Sequence, residues 1–471
     1  MSRFAPVVPA AVLAFALTAC ASGGVEGGTP GGAGLRDPYF PKAGNGGYDV
    51  SHYDLALSYT PGTRHLAARA TITARATQDL SAFNLDLRGL RVEKVTVDGT
   101  AARWNRAGQE LTVRPPDDLA EGRTFRVAVR YSGTPVTITD PDSSQEGWLP
   151  TAGGALALGE PVGSMAWYPG NHHPSDKATY DIEVTVPKGL RAISNGEPRG
   201  ESTTGGRTTA RWHMGRPMAS YLTTLAVGRY DVSRTATPDG LPVHTAVDPA
   251  EAAASRAVLA RLPEVLAWSQ DRFGPYPFAS AGAIVARPGD AAYALETQTR
   301  PFFPGTPDVP LLVHEIAHQW YGNSVTPRSW RDMWLNEAFA TYAEWLWAEG
   351  HGGDTAQHTF DELYAGTRYA TPEENAAVWL FPPAYPPGAE HISGRPVYDR
   401  GAMVLHEIRR TLDDDAAFGA LLRGWAAAHR HGNASTEDFT RYVEERAPDK
   451  DFDRVWEDWL YGEGKPKPGP R

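Results

Sequence analysis

Val313-His314-Glu315-Ile316-Ala317-His318 places two imidazoles four positions apart, with a carboxylate beside the first. On a helix, positions i and i+4 share one face about a turn apart, so His314 and His318 can turn ring nitrogens toward one cation. Two His with an adjacent Glu is the H-E-x-x-H arrangement, which holds zinc and keeps a general base beside it. Two imidazoles leave zinc under-coordinated. The next helical stretch, Trp334-Leu335-Asn336-Glu337-Ala338-Phe339-Ala340-Thr341-Tyr342, offers a carboxylate at Glu337, nineteen positions after His318. That separation allows a helix end, a turn and the first half of a returning helix, so an antiparallel partner could set Glu337 against the same ion. An uncompensated charge amid Trp334, Leu335, Ala338 and Phe339 would be costly, whereas the plain alternative is an exposed helical Glu. A zinc ion with three protein ligands keeps a fourth position for water, whose pKa falls to about 7 there, and polarises a scissile carbonyl.

Two helices must carry this set. Asp308 and Pro310 supply a start for the first, and Leu311, Leu312 and Ile316 give it apolar surface to bury. The apolar spacing predicts helices over 310–323, 330–348, 400–412 and 436–446. Val258, Leu259, Leu262, Val265 and Leu266 also fall at helical spacing, with Pro263 starting a new helix or kinking this one. Ala283-Ile284-Val285-Ala286 reads as a short buried strand. Upstream the period changes to two. Phe83, Leu85 and Leu87 alternate with Asn84, Asp86 and Arg88, and Tyr180, Ile182, Val184 and Val186 repeat the pattern. Turn signals such as Asp98-Gly99 and Ser194-Asn195-Gly196 separate the runs, so the first half reads as antiparallel β structure.

The chain has 471 residues, 41% hydrophobic and 21% charged, which are globular proportions with room for more than one domain. The net charge is -11 and no Lys/Arg block interrupts the acidic balance, which argues against nucleic acid as a partner. Cys20 is the only cysteine, so no internal disulfide forms and metal ligands must be His, Asp or Glu. Arg3, a short apolar run and Leu17-Thr18-Ala19-Cys20 form the parts of a secretory signal. The last four residues resemble the bacterial lipoprotein box, which implies cleavage before Cys20 and a lipid on its sulfur. The alternative is an ordinary signal peptide with an incidental cysteine. The expected organisation is a signal peptide at 1–20, a flexible Gly-rich tether at 21–46, a β domain at 47–235, a catalytic domain at 236–463 and a disordered tail at 464–471.

His-Glu-x-x-His followed at this distance by Asn336-Glu337-Ala338-Phe339-Ala340 resembles the gluzincin aminopeptidases, the aminopeptidase N family. Tyr293-Ala294-Leu295-Glu296-Thr297 stands where that family has Gly-Ala-Met-Glu-Asn. Val397-Tyr398-Asp399-Arg400-Gly401-Ala402 is similar to its Val-Tyr-Glu-Lys-Gly-Ala segment, and Tyr168-Pro169 through Lys177-Ala178-Thr179-Tyr180 to a stretch of its N-terminal domain. The resemblance covers roughly 46–463. It implies an N-terminal antiparallel β saddle or sandwich followed by a thermolysin-like α+β catalytic domain, one zinc ion, and removal of N-terminal residues from peptides. It implies Glu315 as general base, Tyr398 as hydrogen-bond donor to the oxyanion, and Glu296 as the grip on a free α-ammonium, with the Ala294 and Leu295 backbone pairing with substrate. Glu160 stands near the position of a second amine contact.

The chain departs from the family at Tyr293, where Gly is usual, and at Thr297, where Asn is usual, which touches cleavage preference. Larger members carry a helical C-terminal domain over the cleft, for which few residues remain here, so a more open site admitting longer peptides is expected. Two other functions compete: a zinc endopeptidase with relaxed N-terminal recognition, and a non-catalytic surface binding protein. His172-His173 reads as structural, because adjacent imidazoles do not easily converge on one ion. Asn336 could orient Glu337 or cap local backbone. Asn433-Ala434-Ser435 fits a glycosylation pattern that a bacterial lipoprotein makes irrelevant. The implied location is the outer face of a bacterial cell membrane.

Overall fold

The computed structural model describes residues 27–467. The period-two segments form strands as expected. In Tyr48–Thr60 the side chains of Tyr53, Leu55, Leu57 and Tyr59 are buried and alternate with more exposed neighbours. A register shift between Val50 and His52 changes the phase, so that Val50 and Tyr53 both face the core. This strand is central in an eight-stranded sheet. It pairs antiparallel with His65–Ala76 (Tyr53 opposite Ile72) and parallel with Lys177–Pro187 (Tyr53 opposite Tyr180). The sheet is therefore mixed, because a parallel neighbour needs a long crossover, and the residues between these strands supply one. They build much of a five-stranded sheet of Thr137–Thr139, Gln145–Pro150, Ala155–Leu158, Leu225–Gly228 and Arg191–Ser194.

The catalytic body opens with a four-stranded sheet of Asp231–Ala236, Pro242–Val247, Ala281–Val285 and Phe302–Phe303. Its first strand begins at Asp231, so the join between the bodies falls before that residue rather than between 235 and 236. Helices follow: α1 (Ala252–Leu259), α2 (Leu262–Phe273), α3 (Val309–Ala317), α4 (Trp334–Gly350), α5 (Ala356–Ala365), α6 (Pro372–Ala377), α7 (Gly401–Leu412), α8 (Asp415–Ala428) and α9 (Thr436–Arg446). Pro263 lies in the first turn of α2, where its missing N–H costs nothing. The helix expected over 310–323 closes at Ala317. The chain turns because the amides of Asn323, Ser324 and Val325 reach back five residues to His318, Gln319 and Trp320, and Gly322 adopts a φ of +125°. Helix α4 is buried on nearly every side, with Trp334, Leu335, Ala338, Phe339, Ala340 and Tyr342 inside the core.

Two expected disordered segments are folded where they are described. Residues 27–46 form an arm packed on both bodies, not a free tether. Thr29–Pro30 pairs with Leu80–Asp86, and Gly28 N–H donates to Asp118 at 2.8 Å. The glycines that suggested flexibility permit close approach: a Cβ on Gly31 would lie 2.4 Å from the Gly46 carbonyl oxygen. At the other end, the Tyr364 hydroxyl donates to the Pro466 carbonyl at 2.7 Å and Arg454 donates to Lys467 O at 2.6 Å, so 464–467 is docked. The signal segment 1–20 with Cys20, residues 21–26 of the expected tether, and 468–471 of the expected tail lie outside the described residues.

Candidate active site

Helix α3 starts at Asp308, whose carboxylate accepts the Leu311 N–H at 2.9 Å and caps the first turn. Its apolar face buries Leu312, Val313 and Ile316, which turns His314 and His318 the other way. Helix α4 carries Glu337 in its first turn to the same place. Glu337 Oε2 lies 3.3 Å from His314 Nε2 and 3.4 Å from His318 Nε2, and all three side chains are buried. Zinc bonds of about 2.0–2.1 Å in a tetrahedron give ligand-to-ligand edges of roughly 3.3–3.4 Å, so the set fits the ion.

The far nitrogens fix the rings. His314 Nδ1 is 2.7 Å from Glu344 Oε1, and His318 Nδ1 donates to the Tyr321 carbonyl at 2.9 Å, which leaves both Nε2 atoms free as ligands. Sequence reasoning missed Glu344. It lies seven residues after Glu337 on the same helix face, and that two-turn spacing was the available signal. Burial opposes charge on His318, but the Glu337 and Glu296 carboxylates outweigh it and push the imidazole up to about 9. Burial likewise opposes ionisation of Glu337, but His318 and His314 hold its carboxyl low. A pocket that sets the Glu337 and Glu296 carboxylates beside the two imidazoles is electrostatically suited to a dication.

A cavity of about 370 Å³ opens over this set. Glu315 lines it with one buried carboxylate oxygen lacking a protein partner, and burial pushes its carboxyl up to about 8. Tyr398 lines it from the π-helical turn Pro396–Arg400, its ring stacked 6.1 Å from that of His314. Burial, then the surrounding carboxylates, keeps its phenol protonated far above the usual range. Glu296 is buried with one oxygen unpartnered, and carboxylate oxygens of Glu160, Glu296 and Glu337 lie within 4.8 Å of one another. Glu160 thus joins the site.

Ala294 and Tyr293 also line the cavity. Leu295 does not, and its expected pairing with substrate is corrected: its N–H donates to Phe302 O at 2.9 Å and its carbonyl accepts from Phe302 at 2.7 Å. The bridge to Phe302 already uses that backbone. Asn336 reaches the Tyr221 hydroxyl at 3.3 Å and makes no hydrogen bond to Glu337. His172 bonds the Tyr168 carbonyl at 3.0 Å and His173 faces Asp37, so that pair is structural. No local pattern marked Phe40 and Asp140, which line the cavity from distant segments.

Residues 307–459 match the Peptidase family M1 domain and residues 50–222 the Peptidase M1 N-terminal domain. The crystal structure of an M1 zinc metallopeptidase from Deinococcus radiodurans superposes with a TM-score of 0.83 at 31% identity, covering 93% of this chain and 100% of that one. The chain belongs to peptidase family M1. This M1 chain is a zinc metallo-aminopeptidase with a single catalytic zinc ion. It is also similar to leukotriene A-4 hydrolase from Xenopus laevis, 26% identical over 90% of this chain and 73% of that protein. Aminopeptidase M1 from Arabidopsis thaliana is 26% identical over 66% of this chain, which spans 37% of the plant protein's length. A mutant of the Deinococcus enzyme bound to the substrate Tyr-Ser-Ala has a TM-score of 0.82 at 31% identity, covering 92% of this chain and 100% of that one.

Proposed function

We propose that the enzyme removes the N-terminal residue of peptides by direct attack of water, with Glu315 as general base. A zinc ion on His314, His318 and Glu337 would supply Lewis-acid polarisation of the scissile carbonyl and of the attacking water. Glu315 takes the water proton as the oxygen attacks the carbonyl carbon, and its elevated proton affinity suits that task. The Tyr398 phenol donates a hydrogen bond to the developing oxyanion. Glu315 then hands the proton to the amine nitrogen as the C–N bond breaks.

The observation that carries the N-terminal specificity is the meeting of Glu160 and Glu296 beside Glu337, in a cavity to which, among the described residues, no Lys or Arg contributes. Two carboxylates beyond the metal ligands attract an α-ammonium and leave little room for chain beyond it. The substrate bound in the Deinococcus mutant, Tyr-Ser-Ala, is of this class. Comparing a free tripeptide with its Nα-acetylated form tests the reading. The free peptide should be cleaved at least a hundredfold faster, and equal rates would select an endopeptidase instead.

We infer in addition that the enzyme is tethered to the outer face of a bacterial membrane through a lipid on Cys20. Support comes from the Leu17-Thr18-Ala19-Cys20 box after Arg3 and a short apolar run. In cell fractionation the native chain should sediment with membranes, and Cys20→Ser should free it. A variant that sediments as before would refute the anchor.

A further inference from the structure

We infer that the N-terminal arm is a working part of the active site, in which Phe40 forms a wall of the pocket for the substrate's first side chain and Asp37 positions it. The inference rests on the aminopeptidase reading and deepens it. Phe40 lines the same cavity as Glu296, Glu315 and Tyr398, yet lies outside both matched family regions, which begin at residue 50.

Its place in the cavity follows from its neighbours. The Phe40 ring meets Trp330 edge-on at 6.0 Å, and Trp330 meets Tyr221 at 5.2 Å. The Tyr221 hydroxyl accepts from Asn336, the residue preceding Glu337. Phe40 is thus seated on two buried rings and shares one cavity with Glu160 and Glu296, the carboxylates that take the substrate amine. The side chain of the first residue leaves the carbon next to that amine, so an apolar wall of the same cavity reads its size. Tyr293, where the family motif begins with Gly, borders the same cavity.

Asp37 holds the wall in place. It is 4% exposed, and one carboxylate oxygen accepts the amides of Tyr39 and Phe40 at 2.9 and 3.1 Å. The other accepts the Ser329 hydroxyl and the Trp330 amide, both at 2.9 Å. The Tyr39 hydroxyl adds a bond to the Pro386 carbonyl at 2.7 Å. One buried carboxylate therefore ties the arm to the turn that leads into α4. The apolar ring presented to the cavity suits large apolar or aromatic first residues.

The test uses alanine, leucine and phenylalanine p-nitroanilides with the full zinc-loaded chain and Phe40→Ala, Phe40→Leu and Asp37→Ala. Phe40→Ala should raise KM for the leucine and phenylalanine substrates about fivefold to tenfold. Its KM for the alanine substrate should change less than for the other two, and its zinc content should match that of the native chain. Phe40→Leu should restore most of the selectivity, and Asp37→Ala should reproduce the Phe40→Ala pattern at unchanged zinc content. Equal KM changes for all three substrates, or none, would overturn the assignment of Phe40. Native selectivity in Asp37→Ala, or a general loss of kcat or zinc, would overturn the positioning role. Hydrolysis of the alanine substrate by the native chain reports separately on the aminopeptidase reading.

Discussion

The metal set was legible because it is local. Spacing four places His314 and His318 on one face, and the apolar company of Glu337 marked it as a carboxylate with a buried task. Glu344 was legible only in principle, through its two-turn distance from Glu337. Its 2.7 Å contact with His314 Nδ1 fixes the ring that must present Nε2 to the ion. Groups in this position change metal affinity more than chemistry, by about 10- to 100-fold. Glu344→Gln should therefore weaken zinc binding by about that factor in a competition titration against a chelator. Its kcat at saturating zinc should stay within a few-fold of native. Unchanged affinity would show that the contact does not matter. Phe40 was not legible at all, since it meets Trp330 across nearly three hundred residues and no local pattern encodes such a contact.

Elements were read well where periodicity was long and poorly where a few side chains decide. The predicted helix at 436–446 is α9, whose start is a reciprocal cap between Ser435 and Asp438. Helix α8 was missed, although Asp414 caps it by accepting the amides of Ala416 and Ala417. The arm was misread because Gly and Pro content suggests a linker, while its order depends on Asp37 finding partners in remote segments. Burial pulls the Asp37 carboxyl upward, but bonds from His173, Trp330, Tyr39 and Phe40 outweigh it and hold it down at about 2. Its folded pKa is thus below the unfolded value. The stabilisation is present above about pH 4 and is lost as pH falls through about 2. A displacement of this size is worth about 2 kcal/mol. Asp37→Asn should lower folding free energy by about that amount at pH 7, and the deficit should shrink between pH 4 and 2 in denaturant titrations. A deficit constant across that window would contradict the account.

At the scale of the molecule, the two bodies are joined by buried polar contacts that composition cannot reveal. Lys177, from the eight-stranded sheet, donates to the carbonyls of Asn323 and Ser324, just past the metal-binding helix, at 3.0 and 2.9 Å, and to that of Gly432, between α8 and α9, at 3.2 Å. Arg300 lies over the Trp212 ring at 4.5 Å and donates to the carbonyls of Ser194 and Gly196. The sequence separated β-rich from α-rich halves correctly. It did not show that the cleft draws on both, with Glu160 from one and Glu296, Glu315 and Tyr398 from the other. The account depends on one chain gathering a zinc ion and a separate base into that shared cleft. Parallel measurement of zinc content and leucine p-nitroanilide hydrolysis in the native chain and Glu315→Gln tests it most directly. The account predicts one zinc per chain in both and a loss of at least a thousandfold in kcat for the variant, in the range general-base removal produces, about 10² to 10⁴. A variant that keeps its zinc and hydrolyses within tenfold of native, or a native chain active without zinc, would contradict it.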